Sequence, residues 1–215
     1  MSSTDRITSD DVVAWIQLAA DVFRGEKEHL TELDSAIGDA DHGINMDRGF
    51  QAVVAKLPTL PQDDIGALLK GVGMTLMSTV GGASGPLYGS FFLQLGNATA
   101  GKSDIDVAEF AAAMDNGIAR VQGLGKAEAG DKTMLDALFP AQAALHHAAD
   151  AGENPSAALG AAAEAAEEGM RATIPLVARK GRASYLGDRS AGHQDPGATS
   201  TSLLLKAAAD AWSRD

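Results

Sequence analysis

The sequence predicts an all-α protein that forms a single domain, and three observations lead to this prediction. Apolar residues recur at helical spacing along most of the chain, whereas the alternation typical of a half-buried strand is almost absent. The chain has 215 residues and no composition shift, linker or repeat that would divide it, so residues 1–215 are expected to form one domain. Alanine-rich tracts and an aromatic content of only 5% favour closely packed helices.

The N-terminal segment predicts the first of eight helices. An apolar stripe covers residues 12–23 and follows Ser9-Asp10-Asp11, where an N-cap and acidic first-turn residues are expected. Glycine- and proline-rich segments separate the later helices, and Pro175 should kink the seventh helix or end it early. These later helices are predicted at about residues 46–57, 64–80, 86–99, 106–123, 134–151, 155–179 and 198–212.

Composition and charge argue against several functional classes. The absence of cysteine excludes disulfides, thiolate metal sites and cysteine nucleophiles. A formal charge of -12 argues against a nucleic-acid partner, whose phosphates need many basic residues. There is no apolar run of about 20 residues and no signal-peptide pattern, so we expect a cytoplasmic protein without a membrane partner. A phosphorylated ligand would need a carboxylate-held cation or a glycine-rich helix start.

The segment 33–46 contains three aspartates that a loop can bring together. Asp34 lies near a predicted helix end, and two glycines free the backbone between Asp34, Asp39 and Asp41 to fold back. Three converging carboxylates repel one another unless they share a cation, and hard oxygen ligands suit Mg²⁺ or Ca²⁺. The alternative interpretation is that Asp39 and Asp41 are turn or N-cap residues and Asp34 is solvated. Both interpretations remain open on spacing alone.

The glycine-rich segment 81–89 precedes another predicted helix. Ser84 is placed as its N-cap and Pro86 as a first-turn proline, while the glycines would let backbone amides approach an anion. No Gly-Lys-Ser/Thr follows, so the segment is not a P-loop. A plain helix-to-helix turn is the alternative.

A third segment, residues 179–199, concentrates basic residues in an acidic chain. Lys180 or Arg182 can bind a phosphate, and Asp195-Pro196-Gly197 can close a turn over a ligand. The alternative is a solvated loop whose charges balance nearby acids. In a weaker segment, residues 130–136, Asp131 is predicted to cap the next helix and Met134 to fill the core.

On these residues the chain resembles the nucleotide-binding L subunit of dihydroxyacetone kinase of the phosphotransferase-system-dependent type. The resemblance covers essentially the whole chain and rests on five motifs in the family's order. They are Gly38-Asp39-Ala40-Asp41-His42-Gly43 with Asn45 and Met46, Gly81-Gly82-Ala83-Ser84-Gly85-Pro86, Gly130-Asp131-Lys132-Thr133-Met134, Lys180-Gly181-Arg182-Ala183-Ser184-Tyr185-Leu186-Gly187, and Gly192-His193-Gln194-Asp195-Pro196-Gly197-Ala198-Thr199.

The resemblance implies an eight-helix antiparallel barrel with ADP or ATP bound at one end. It places two Mg²⁺ ions on Asp34, Asp39 and Asp41 and assigns no catalytic residue to this chain. The positions that match the family's nucleotide contacts are His42, Gly43, Ile44, Asn45, Ala83, Ser84, Gly125, Met134, Arg182, Asp195, Pro196 and Gly197. Gly125 lies outside the five motifs.

The resemblance also implies a function that depends on partners. An L subunit presents Mg-bound nucleotide for phosphoryl transfer to dihydroxyacetone, which a separate K subunit holds. A phosphohistidine M subunit then rephosphorylates the bound ADP. Two alternatives remain: an L subunit that exchanges ATP and serves another short ketose, or a nucleotide-sensing protein that contacts a transcription regulator.

Overall fold

The computed structural model describes residues 6–213, so residues 1–5 and 214–215 of the predicted domain lie outside the described residues. The described chain is almost entirely helical, which confirms the all-α fold class. Its α-helices are α1 (Ser9–Gly25), α2 (Lys27–Ile37), α3 (His42–Lys56), α4 (Ile65–Thr79), α5 (Ser84–Ala98), α6 (Val107–Gly125), α7 (Leu135–Ala151), α8 (Pro155–Ala172) and α9 (Pro196–Trp212). Two 3-10 segments, Leu57–Thr59 and Arg182–Ser190, and two short strands, β1 (Ile7–Thr8) and β2 (Asp104–Ile105), complete the fold.

Eight of the helices close a ring. α1 packs against α3, each helix from α3 to α9 packs against the next, and α9 returns to α1. α2 is outside this order and packs mainly on α3 and α9. The predicted eight-helix barrel is thus present, and α2 is an additional helix that a single residue, Glu26, separates from α1.

Close glycine contacts fix the direction of neighbouring helices. A β-carbon on Gly66, at the start of α4, would lie 2.6 Å from the carbonyl oxygen of Gly96 at the end of α5. Further along the pair, a β-carbon on Gly73 would lie 2.6 Å from the carbonyl oxygen of Gly89. The two helices are therefore antiparallel. The first residues of α3, α5, α7 and α9 lie together, so these helices begin at one end of the ring. The helices that alternate with them, α1, α4, α6 and α8, begin at the other end.

Aromatic side chains fill the middle of the ring. The indole of Trp15 packs against Phe92, Phe110 and Trp212, with ring centroids 5.5, 6.3 and 5.7 Å away. Each indole N–H also finds a backbone acceptor: Trp15 donates to the Leu204 carbonyl at 2.9 Å and Trp212 donates to the Asp11 carbonyl at 2.8 Å. Satisfied indole groups allow these large side chains to be fully buried.

Several helix boundaries differ from the prediction. α3 begins at His42 and α5 at Ser84, each earlier than expected, because the glycine-containing turns before them are short. α8 ends at Ala172 rather than near residue 179, and this confirms the expectation that the helix would end early, ahead of Pro175. The antiparallel pair of β1 and β2 was not predicted. No helix in residues 6–213 is both long and apolar enough to cross a membrane.

Candidate functional site

A cleft opens at the ring end where α3, α5, α7 and α9 begin. Its volume is about 280 Å³. It contains every predicted site residue except Gly43, Ile44 and Asn45. The predicted residues that line it are Asp34, Asp39, Asp41, His42, Ala83, Ser84, Gly125, Met134, Arg182, Asp195, Pro196 and Gly197.

The three aspartates converge at one edge of this cleft. One carboxylate oxygen from each of Asp34, Asp39 and Asp41 lies within 4.8 Å of the other two. Asp34 is buried, Asp39 is exposed and Asp41 is half-buried. Asp34 is also held in place, because its Oδ2 accepts backbone N–H bonds from Asp41 at 2.9 Å and His42 at 3.2 Å.

The backbone between these aspartates reverses in a way that depends on Gly38. The Gly38 N–H donates to the Asp34 carbonyl oxygen at 2.6 Å, which ends α2. A β-carbon on Gly38 would lie 2.0 Å from Asp34 Oδ1 and would displace that carboxylate. Ala40 then adopts a left-handed conformation, with φ of 60°, and completes the reversal.

The chemistry of this cluster fits a divalent cation. The cluster offers carboxylate oxygens only, and Mg²⁺ prefers such hard ligands while keeping positions for water and phosphate oxygens. Arg182 supplies one positive charge, with Nη2 3.0 Å from Asp39 Oδ2, yet its side chain is 66% exposed. One solvated guanidinium offsets little of the repulsion among three carboxylates. A bound cation would neutralise it.

The start of α5 forms the second wall. Gly82 has a φ of 62°, and the helix begins at Ser84. Its N-cap residue is Ala83, whose side chain accepts no hydrogen bond from the helix. The predicted N-cap role of Ser84 is therefore wrong, since Ser84 is the first helical residue. Its hydroxyl instead lies 3.2 Å from Nδ1 of His42. Ala83 and Ser84 line the cleft, and this helix start has no side-chain cap, which suits an anion.

His42 joins the starts of α3, α5 and α9. Its ring is buried, and Nε2 lies 2.8 Å from the hydroxyl of Ser200 in α9. Burial lowers the pKa of His42, and the nearby carboxylates of Asp34 and Asp41 oppose that shift only in part. The imidazole is therefore held neutral.

Asp195 begins α9 inside the cleft. Its Oδ2 accepts the Ala198 N–H at 2.7 Å, so it is a true N-cap. Burial raises the pKa of Asp195 to about 7, although the Ala198 bond favours the ionised form. A β-carbon on Gly197 would lie 3.5 Å from the backbone nitrogen of Met134, which places the α9 start against the α7 start.

An apolar wall lies across the cleft from the charged edge. Met134 is buried and lines the cleft together with Leu87, Val121 and Ala127. The predicted cap by Asp131 is wrong, because its Oδ2 accepts the Glu128 N–H at 2.8 Å and α7 begins at Leu135. This wall can pack against a flat aromatic ring.

Lys132 anchors the basic segment at the mouth. Its side chain is buried, and Nζ donates to the carbonyl oxygens of Thr173 at 2.8 Å, Leu176 at 3.1 Å and His193. These bonds join the loop after α8 to the loop before α9. The intervening residues Lys180 and Arg182 are thereby placed on the rim of the cleft.

Gly43, Ile44 and Asn45 do not line the cleft. A β-carbon on Gly43 would lie 2.0 Å from the Lys27 carbonyl oxygen, so Gly43 permits close packing of α3 on α2. Ile44 is 46% exposed on a separate groove beside α2. Asn45 is three residues after His42 and shares its face of α3. Its Oδ1 atom accepts a bond from Arg48 at 2.7 Å and would lie 2.7 Å from a β-carbon on Gly81, which lines the cleft.

Three contributors to the site were not predicted from the sequence. Lys132 lies in one of the five motifs but was given no role, although a lysine in a turn that begins with glycine could have indicated one. Tyr88 and Ser200 are buried behind His42, and their hydroxyls lie 2.7 Å apart. No local pattern connects residues more than 100 positions apart, so only the fold reveals this pair.

The family model and the relatives that match this chain agree with one another. The DAK2 domain matches residues 36–210. The chain is 47% identical over 200 residues to the ADP-binding subunit DhaL of PEP-dependent dihydroxyacetone kinase from Escherichia coli K12, covering 93% of this chain and 95% of that protein. The DhaL subunit of dihydroxyacetone kinase 2 from Listeria innocua is 47% identical over 182 residues, 84% of each chain. L-erythrulose 1-kinase of Mycolicibacterium smegmatis is 35% identical over 96% of this chain but only 36% of that protein.

Solved structures agree with the sequence relatives. The dihydroxyacetone kinase of C. freundii superposes with a TM-score of 0.73 at 25% identity, over 98% of this chain. Its complex with AMP-PNP and Mg²⁺ gives a TM-score of 0.72 at 26% identity. This chain corresponds to 36% of that kinase in both cases.

Proposed function

The chain belongs to the DAK2-domain family, among the DhaL-type subunits of dihydroxyacetone kinase, and we propose that it binds ADP and serves as the nucleotide-carrying subunit of such a kinase. One observation carries the proposal. The three aspartates and the uncapped start of α5 face one cleft. The chain that forms this cleft is also 47% identical to an ADP-binding subunit over nearly its whole length.

Asp34, Asp39 and Asp41 would hold Mg²⁺, and we propose two ions. When bound, the metal would neutralise phosphate charge. Asp34 is the fixed ligand, because two backbone N–H groups orient its carboxylate. Asp39 is exposed and its ion pair with Arg182 would have to adjust when a cation binds.

The nucleotide would lie between the aspartates and the apolar wall. Met134 packs against the base, and the N–H groups and hydroxyl at Ser84 bind phosphate oxygens. Arg182, Gly125, Ala83 and the Asp195-Pro196-Gly197 turn line the remaining sides. Gly43, Ile44 and Asn45 would contact the nucleotide from the first turn of α3, where the Asn45 N–H already donates to the Asp41 carbonyl oxygen.

The residues of this chain would bind and orient the phosphates and take no covalent part in the reaction. Phosphoryl transfer needs in-line positioning and charge neutralisation more than a protein nucleophile. The cleft is open at its mouth, so a K-type subunit holding dihydroxyacetone can dock there. An M-type phosphohistidine subunit would then rephosphorylate the ADP in place.

Native mass spectrometry of the purified chain tests this proposal. We expect retained ADP and two Mg²⁺ ions, both lost when EDTA removes the metal. Asp39→Ala should retain neither. Asp63→Ala, which replaces an exposed carboxylate outside the cleft, should behave as the wild type. A chain that retains nothing and also fails to take up added Mg·ADP would contradict the proposal.

A second candidate is an ATP-exchanging subunit that serves a tetrulose. The similarity to L-erythrulose 1-kinase over 96% of this chain favours it. The two candidates predict different residence times for the nucleotide. Labelled ADP that leaves the chain only over hours indicates a fixed coenzyme, whereas release within seconds indicates exchange with ATP.

A further inference from the structure

A line of buried hydrogen bonds leads from the cleft into the ring. It begins at the hydroxyl of Ser84, 3.2 Å from Nδ1 of His42, and continues from Nε2 to the hydroxyl of Ser200 at 2.8 Å. Ser200 lies 2.7 Å from the phenol oxygen of Tyr88, which lies 2.9 Å from the hydroxyl of Thr201. Ser84 and Tyr88 line the cleft, and Ser200, Tyr88 and Thr201 are at most 1% exposed.

The Pro196 carbonyl oxygen is a further acceptor for a ring N–H of His42. Hydrogen counting allows two arrangements along the line of side chains. A neutral imidazole carries one N–H and one acceptor nitrogen. If Nε2 carries the hydrogen, it donates to Ser200, and Nδ1 accepts the hydroxyl hydrogen of Ser84. If Nδ1 carries the hydrogen, it donates to the Ser84 oxygen, and Ser200 donates to Nε2.

The two arrangements present different groups to the cleft. In the first, the hydrogen of Ser84 points inward to His42 and only its oxygen lone pairs face the ligand. In the second, the Ser84 hydroxyl is free to donate into the cleft. A terminal phosphate at neutral pH offers mainly acceptor oxygens, so only the second arrangement suits it.

We propose that Ser200 is a positioning residue that selects the second arrangement by donating its hydroxyl hydrogen to Nε2 of His42. His42 then holds the Nδ1–H tautomer, and Ser84 presents a donor to a nucleotide phosphate. This role rests on the proposed nucleotide-binding function. It adds Ser200 and Tyr88, which do not themselves belong to the predicted set of nucleotide contacts.

Tyr88 supports this selection from the buried side. The Ser200 hydroxyl has an alternative acceptor, the Gly197 carbonyl oxygen at 3.1 Å, which is farther away than Nε2. The Ser200 oxygen can accept the phenol hydrogen of Tyr88 while Ser200 donates to His42. Thr201 can in turn donate to the phenol oxygen, which keeps every hydroxyl of the line satisfied.

Nitrogen-15 NMR of the histidine side chains tests the tautomer in the wild-type chain. We expect the Nδ1–H form of His42 when Mg·ADP is bound, with the signal assigned by its loss in His42→Asn. An Nε2–H form in the Mg·ADP complex overturns the positioning role alone. A wild-type chain that binds no Mg·ADP overturns the proposed function and the positioning role together.

Three variants test the order of contributions. Ser200→Ala should weaken Mg·ADP binding by about tenfold, as expected for one lost bond to a charged phosphate. Tyr88→Phe should weaken it by about threefold, and Thr201→Val by less than twofold. Adenosine, which has no phosphate, should bind all three variants as it binds the wild type.

A merely structural role for Ser200 predicts a different result. Ser200→Ala would then weaken adenosine and Mg·ADP equally and would leave the His42 tautomer unchanged. That pattern overturns the proposal. The Ser200→Ala spectrum with Mg·ADP should instead show the Nε2–H form gaining population.

Discussion

The two ends of the helix ring differ in how their helix N-termini are capped. At the end away from the cleft, a side chain caps each of the four ring helices that begin there. These caps are Thr8 for α1, Asp64 for α4, Asp106 for α6 and Asn154 for α8. At the cleft end, α3, α5 and α7 have no side-chain bond from their N-cap residues, and only α9 is capped, by Asp195.

Other side chains partly replace the missing caps at the cleft end. Asp34 accepts the His42 N–H at the start of α3, and the Thr133 hydroxyl accepts the Leu135 N–H at the start of α7 at 3.2 Å. The start of α5 at Ser84 has no such substitute among the described residues. The ring is therefore closed by its own side chains at one end and leaves donors for a ligand at the other.

The charges at the two ends differ in the same way. Away from the cleft, Glu109 pairs with Lys102 at 2.7 Å and with Arg6 at 3.1 Å, and Arg6 also bonds Asp104. The Glu109 pKa is lowered, mainly by its bond to Lys102. At the cleft, three carboxylates share one exposed arginine. The side chains at one end of the ring therefore stabilise the fold, and those at the other end are arranged for a ligand.

The largest predicted effect is a loss of ligand affinity without a loss of folding stability. Asp39→Ala should reduce Mg·ADP affinity at least about a hundredfold, because one of three metal ligands is lost. The melting temperature of the ligand-free chain should stay within a few degrees or rise, since repulsion among the aspartates falls. Calorimetric titration and thermal melts measure the two quantities, and a large fall in ligand-free stability would contradict the division between the ends.

The next largest effect is the reverse: a substitution away from the cleft should lower the folding stability and leave ligand affinity unchanged. Gly66→Ala would place a β-carbon 2.5 Å from the Ala100 Cα atom, so it should cost about 2–3 kcal/mol of unfolding free energy. The folded fraction should bind Mg·ADP normally. Gly160→Ala is the matched control, since no atom lies within 4 Å of its new carbon, and it should stabilise by about 0.5–1 kcal/mol.

Asp195 is the one capped start at the cleft, and it carries a pH dependence. Its folded pKa of about 7 lies above the ordinary value of 3.8, so the folded state binds more protons between these values. Stability should therefore fall as pH rises from about 4 to 7 and then level off. Asp195→Asn keeps the cap and should raise the unfolding free energy at pH 8 by on the order of 1 kcal/mol.

The control for Asp195→Asn is the same pair of melts at pH 4.5. There the two chains should differ less, because Asp195 is then largely protonated in the folded wild type. Equal stability of the two chains at pH 8 would show that Asp195 has no raised pKa.

The smallest predicted effects come from substitutions at one capped helix start, that of α4, and at one uncapped helix start, that of α5. Asp64→Ala removes bonds to the N–H groups of Ala67 at 3.0 Å and Gly101 at 3.1 Å, and should cost about 1 kcal/mol. Ser84→Ala removes no cap and should cost less than about 0.5 kcal/mol. Urea unfolding measures both. Equal losses would remove the distinction between the two ends.

Acid unfolding sharpens the same comparison. The pKa of Asp64 is lowered, first by its bond to the Ala67 N–H. Its contribution is complete above the ordinary value of 3.8 and is lost as pH falls through the lower folded pKa. The stability difference between Asp64→Ala and wild type should therefore shrink in that acid range.

Sequence patterns predicted the helices well because their apolar spacing is strong and their connections carry glycine or proline. The break at Glu26 follows a single glycine, Gly25, and no proline, so α2 was not separated from α1. The loop after α8 is held by Lys132, which binds two of its carbonyl oxygens from 40 or more residues away. Periodicity carries no information about such a contact.

For the site, the sequence located the three aspartates because they lie within eight residues of one another. It also predicted Gly43, Ile44 and Asn45 as site residues, and these three do not line the cleft. It could not show which helix starts lack caps. Ser84 reads as an N-cap by residue type, and only the fold shows that its hydroxyl reaches His42.

Hydrogen exchange of backbone amides, measured with and without Mg·ADP, tests the central claim most directly. The claim predicts that the amides of Ser84 and Gly85, at the uncapped start of α5, become protected when the nucleotide binds. The amides of Ala67 and Glu109, which Asp64 and Asp106 already cap, should not change. Protection at the capped end, or none at Ser84 and Gly85 in a chain that does bind Mg·ADP, would contradict it.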